Sequence, residues 1–208
     1  MSFSYSTRSG GFLSGMPPVT RFIFVINIVL FILDYLTYPF LFNRLALFPY
    51  GTPYFEPYQL ISHMFMHGGF WHIFLNMFGL FMFGKVLENV LGSQRFFILY
   101  FISGLGAAAL QLFIFHRQGI MVPMVGASGA LMGIVAAFAV LFPNVELMVI
   151  PIPVPVKAKY LIPGFMVLSL FMGMANVSFD NIAHFAHLGG AIVGFLIILL
   201  WKNKYRRY

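Results

Sequence analysis

A serine that opens one apolar helix, a histidine part-way into another and a histidine–asparagine pair on a third are the groups whose types and spacing could do chemistry. Ser128 stands in Gly126-Ala127-Ser128-Gly129-Ala130, and His187 in Ala183-His184-Phe185-Ala186-His187-Leu188-Gly189-Gly190. His72 and Asn76, four residues apart, share one helix face. A serine hydroxyl becomes a nucleophile when an imidazole within about 3 Å takes its proton, and that imidazole then protonates the leaving amine. His187 fits both steps. At a helix N-terminus, Ser128 also offers unpaired backbone N–H groups and the positive end of the helix dipole to an oxyanion, to which His72 and Asn76 can add side-chain donors. No carboxylate lies within a turn of His187, and Asp180 is two turns away. The expectation is a Ser-His dyad without an acidic third member.

Each group also has a plainer role. Gly-Ala-Ser-Gly packs helices in many membrane proteins, Asn76 could be an interhelical hydrogen bond, and His72 an interfacial histidine. His184 competes with His187 as the base, but fits better as a polar lining residue. His63, His67 and His72 could hold zinc, yet neither a His-Glu-x-x-His motif nor a nearby carboxylate accompanies them. No metal and no cofactor are expected. Asp34 is expected to reach the outer interface beside Tyr35 and Tyr38.

The elements that must position these groups follow from composition. Of 208 residues, 61% are hydrophobic and 8% charged, too little polar surface for a water-soluble globule. With no cysteine there are no disulfides or thiolate metal sites, and the net charge of +7 is scattered at helix ends rather than gathered on a nucleic-acid-binding face. Six apolar windows suit a bilayer core of about 30 Å: Thr20 to Phe40, Gly69 to Lys85, Arg95 to Phe115, Ser128 to Phe142, Tyr160 to Ala175 and Asn181 to Trp201. With both termini cytoplasmic, ten Lys and Arg residues lie inside, and Arg44 and Arg117 outside, a strong positive-inside bias. The expected organisation is a cytoplasmic leader over 1–19, a six-helix all-α membrane domain over 20–201 and a basic cytoplasmic tail over 202–208. No cleavable signal is visible, so the first helix is expected to remain. The linker from Leu41 to Gly68 is expected to lie in the outer interface as a hairpin or short helices, and Phe142 to Lys159 to form an extended cytoplasmic loop.

This orientation places the polar residues at one level. Helices 2, 4 and 6 run inward, and at 1.5 Å per residue Asn76 and His187 lie about 10 Å below the outer ends of their spans. Helix 4 is too short to cross the core, so an irregular segment around Pro123 to Ala127 is expected to carry Ser128 down to them. Non-helical backbone at such depth requires cover by protein or a water cavity. Gly129, Gly133 and Ala137 on helix 4, and Ala186, Gly190 and Gly194 on helix 6, repeat every four residues, the spacing that lets helix backbones meet.

The ordered set resembles the rhomboid family of intramembrane serine proteases. The resemblance is carried by the Ser-His-Met-Phe-Met-His stretch at 62–67 followed by His72-x-x-x-Asn76, by Gly126-x-Ser128-Gly129, and by Ala183-x-x-x-His187-x-Gly189. Glu88 followed by Leu91-Gly92-Ser93 is similar to the family's turn after helix 2. The resemblance implies Ser128 as nucleophile, His187 as base and His72 and Asn76 as oxyanion donors. It also implies no cofactor, a bacterial inner-membrane setting, contact with membrane lipids, and single-pass transmembrane proteins as substrates, cut near the outer face. Two positions depart from the pattern. The loop-1 Trp-Arg pair of many relatives is Tyr58-Gln59 here, and Met132 stands where some members carry a Tyr against the histidine. The alternative is a non-catalytic membrane protein, either a rhomboid-like client-binding protein or a small transporter. A transporter would spread polar groups along a through-path and commonly carry an inverted repeat, neither of which is seen in the sequence.

Overall fold

The computed structural model describes residues 12–149, 152–174 and 181–202. Its frame is a bundle of long helices: α1 (Pro18–Thr37), α2 (Phe70–Leu91), α3 (Ser93–Gln118), α4 (Ser128–Leu141), α5 (Ala158–Met174) and α6 (Asn181–Trp201). Among the described residues, α1, α2, α3 and α6 include stretches long and apolar enough to cross a membrane; α4 and α5 contribute shorter apolar helices. Pro18 opens α1, where its missing N–H costs nothing, and Gly119 closes α3 in the left-handed conformation. Away from their ends, and apart from the gap that Pro163 makes in α5, the apolar helices satisfy their own backbone, which hydrocarbon surroundings demand.

The short α4 sits at the centre. Its backbone meets α6 directly: a Cβ on Gly190 would overlap Gly129 O, and one on Gly194 would overlap the backbone of Gly133. On α3, Ala107 presses on Gly129 and Ser103 on Gly133. Helices α3, α4 and α6 thus form one tight unit without bulky side chains at the crossings. Glu88 ties α1 to the inner end of α2. It is 2% exposed and accepts hydrogen bonds from Val19 N (2.9 Å), Thr20 N (2.7 Å), Thr20 Oγ1 (2.7 Å) and Ser93 Oγ (2.6 Å). A carboxylate from a neighbouring helix thereby caps the first turn of α1 and satisfies N–H groups that helix geometry leaves unpaired.

Several expectations shift in detail. Helix α2 continues to Leu91, beyond the expected end at Lys85, and passes through a π-helical turn at Leu80–Gly84. Lys85 does not break it, because the ammonium folds back to 5.7 Å from the Phe81 ring centroid. The segment after α4 is a hairpin rather than a featureless loop: β1 (Glu146–Val149) pairs antiparallel with β2 (Ile152–Lys157), Glu146 standing opposite Lys157. Pro153 and Pro155 of β2 sit in a two-stranded sheet in which every strand is an edge, where a missing N–H is tolerated. Asp34 does not snorkel outward. It is 7% exposed, whereas Tyr35 and Tyr38 are 81% and 68% exposed, because Asp34 lies on the protein-facing side of α1. Asp180 and the basic residues Arg8, Lys204, Arg206 and Arg207 lie outside the described residues.

The glycine contacts make a sharp comparison possible. Gly190→Ala should force α4 and α6 apart and lower the thermal midpoint of the detergent-solubilised protein by several degrees, with loss of folded yield. Gly164→Ala, where a methyl meets nothing within 4 Å, should be neutral or stabilising by up to about 1 kcal/mol through helix propensity alone. Equal midpoints for the two variants would contradict the packing described.

Candidate active site

Ser128 and His187 meet. The serine Oγ lies 2.8 Å from His187 Nε2, although 59 residues separate them. The contact follows from the frame, since Ser128 is the first residue of α4 and His187 precedes the Gly189-Gly190 pair that packs against α3 and α4. With its proton on Nδ1, His187 accepts the serine hydroxyl at Nε2. The rival His184 makes no such contact, and its Nδ1 is buried without a hydrogen-bond partner.

Upstream of the serine the chain is irregular, as the short helix requires. Gly126 has φ +126°, and a Cβ there would stand 2.7 Å from His72 Nε2 and 3.6 Å from Ser128 Oγ. The His72 ring and the serine hydroxyl therefore flank one methyl-sized space that glycine leaves open. Asn76, 5% exposed, lies one turn further along α2 and donates Nδ2 to His72 O at 2.8 Å. A side-chain amide nitrogen carries two hydrogens, so this bond leaves the second one uncommitted. The backbone N–H groups of the first turn of α4, which begins at Ser128, have no carbonyl within the helix to bond.

Loop 1 supports this irregular segment. Leu47 and Met124 exchange backbone hydrogen bonds of 2.9 and 2.8 Å, and Gly126 N donates to His63 O at 2.9 Å. The loop itself is gathered by Gln59, which is 1% exposed. Its Oε1 accepts from Phe48 N (3.2 Å) and Glu56 N (3.1 Å), and its Nε2 donates to Arg44 O (3.3 Å) and Tyr54 O (3.0 Å). The Tyr58-Gln59 departure thus leaves the loop anchored through the amide, while Tyr58 faces outward. A second glutamine, Gln111 on α3, accepts Ala186 N at 3.0 Å and steadies α6 one residue before His187. From the sequence Gln59 stood out only as a departure from the family pattern, and Gln111 was passed over, although a polar residue in an apolar span was the visible signal.

Among the described residues no three His, Asp or Glu side chains form a metal-binding group. His63 turns Nδ1 to Gln59 O at 2.8 Å, and the His67 and His72 rings meet edge to face at 5.0 Å. Burial pushes His63 down to about 4, and burial aided by the neighbouring His72 pushes His67 down to about 3.

The chain belongs to the rhomboid family: the Rhomboid domain model matches residues 54–204. Among its relatives, mitochondrial rhomboid protein 1 of Saccharomyces cerevisiae is 34% identical over 66% of this chain and 40% of its own length. RHOMBOID-like protein 5 of Arabidopsis thaliana is 35% identical over 72% of this chain and 46% of its own. The rhomboid YdcA of Bacillus subtilis is 33% identical over 74% of this chain and 72% of its own. The chain thus spans less than half the length of the yeast and plant relatives it matches. It is a membrane-embedded rhomboid.

Two outcomes follow from the loop. Gln59→Leu leaves two N–H groups and two carbonyls of this part-buried loop without their partner, and should cost about 1–3 kcal/mol in unfolding free energy; urea or thermal unfolding in detergent measures it. Because the folded values of His63 and His67 lie below the ordinary 6.5, the unfolded chain binds protons first. Their stabilising contribution is present above about pH 6.5 and is lost as pH falls toward about 4 for His63 and about 3 for His67, with a slope of up to about 1.4 kcal/mol per pH unit per group. A thermal midpoint that falls across that window, and falls less in His67→Leu, is the expected result.

Proposed function

We propose that the chain is an intramembrane serine endopeptidase that cuts transmembrane proteins near the outer membrane face. The observation that carries this reading is the 2.8 Å contact between Ser128 Oγ and His187 Nε2 at the head of α4. His187 takes the hydroxyl proton as Ser128 attacks the scissile carbonyl, and the resulting imidazolium returns that proton to the leaving amine. Water then attacks the acyl carbonyl as His187 takes its proton, and His187 passes that proton to Ser128 Oγ as the acyl–oxygen bond breaks. The negative charge on the tetrahedral oxygen meets the N–H groups of the first turn of α4, the positive end of the helix dipole and the side chains of His72 and Asn76. No step requires a cofactor. The basic inner ends of the bundle fit a bacterial inner membrane, with the site in its outer half.

The test is cleavage of a model transmembrane substrate together with labelling by a fluorophosphonate. Ser128→Ala and His187→Ala should abolish cleavage with the fold intact, while His184→Ala retains it. Asn76→Ala should slow cleavage on the order of a hundredfold, as loss of one oxyanion donor does, and should still be labelled at Ser128. Undiminished cleavage by Ser128→Ala would end the assignment.

A further inference from the structure

On the side of the bundle where α4 ends, α5 does not close on the α4–α6 pair. They leave a lateral cavity of about 420 Å³, lined by Ala136 and Ala139 of α4, Pro163 and Met166 of α5, and Ile192 and Phe195 of α6, with Lys159 also on its wall. Its origin is local. The two alanines give α4 no bulk there, Pro163 interrupts the hydrogen-bond ladder of α5, and α4 ends after 14 residues, short of a full crossing. The volume falls within the range of small-ligand sites, and apart from Lys159 the lining is apolar.

The single charge on that wall indicates the occupant. Lys159 Nζ donates to Asn144 Oδ1 at 3.0 Å and lies 5.2 Å from the Tyr160 ring centroid. An ammonium carries three donors, so two remain for a further acceptor. Lys159 stands at the first turn of α5, among the basic residues that mark the inner side of the bundle, where anionic headgroups create a negative surface potential. Lys157 stands opposite Glu146 across the hairpin, which leaves Lys159 as the cation set over the cavity.

We propose that this cavity binds one anionic glycerophospholipid of the inner leaflet. An acyl chain lies over Ala136 and Ala139 between α5 and α6, and the Lys159 ammonium holds the phosphate. The bound lipid fills the space between α5 and the tight α4–α6 pair that carries Ser128 and His187, and so braces that pair from its α5 side.

The test uses the full chain, delipidated in neutral detergent and titrated with dioleoylphosphatidylglycerol or dioleoylphosphatidylcholine. Thermal midpoints and native mass spectrometry provide the readouts. One phosphatidylglycerol should be retained per chain and raise the midpoint more than phosphatidylcholine does. Lys159→Gln should weaken phosphatidylglycerol binding about fivefold, to the level of phosphatidylcholine, which the substitution leaves unchanged. Ala139→Phe, which fills the cavity, should weaken both lipids; Met166→Trp does the same from the α5 side should Ala139→Phe not fold. Equal binding of the two lipids by the unaltered chain would overturn the proposal. So would a phosphatidylglycerol preference that survives Lys159→Gln, or lipid retention unaffected by the filled cavity.

Discussion

The geometry of the site depends on the contact between the backbones of α4 and α6. In a bilayer, helices gain little by burying one apolar surface against another, because lipid tails are as apolar as leucine. What holds them is close van der Waals approach, which Gly129 and Gly133 permit against Gly190 and Gly194. A serine and a histidine on well-separated helices would sit too far apart for proton transfer. Here the crossing begins beside Ser128 and within a turn of His187, and the two side chains meet at hydrogen-bond distance.

The second condition is that Ser128 begin its helix rather than lie within it. Only the first turn of a helix has N–H groups free of intrahelical partners, and only an irregular approach can bring that turn below the membrane surface. Loop 1 supplies the cover. Its pairing of Leu47 with Met124 and the bond from Gly126 N to His63 O satisfy backbone that would otherwise be stranded. The surroundings of Ser128 are therefore assembled from α2, the approach to α4 and the loop bonded to that approach.

How much of this was legible in the sequence follows from which interactions are periodic. The helices, the small-residue stripes and the order of Ser128, His187, His72 and Asn76 obey fixed spacings, and α4 starts at Ser128 as the short window implied. Periodicity carries no comparable signal for a π-helical turn such as Leu80–Gly84, which changes the pitch without changing composition. Nor does it reveal that Asp34 faces inward, since a residue near a helix end can snorkel or fold in depending on neighbours remote in the chain. The roles of Gln59 and Gln111 are long-range in the same sense. Gln111 meets a backbone group 75 residues away, and only the folded bundle brings the two together.

Gln59 gathers loop 1 with a neutral group. Its amide presents an acceptor and two donors together, so one side chain satisfies two backbone N–H groups and two carbonyls without bringing an ion into a buried place. An arginine at such a position offers donors alone and must be stripped of part of its hydration, a cost that grows as the surroundings become more lipid-like. A neutral amide carries no ionic atmosphere and no charge for a membrane field to act on. The hold on the loop is therefore indifferent to ionic strength, to the headgroup charge of the outer leaflet and to the transmembrane voltage. A membrane can change its lipid charge or its potential without acting on the amide that gathers the loop.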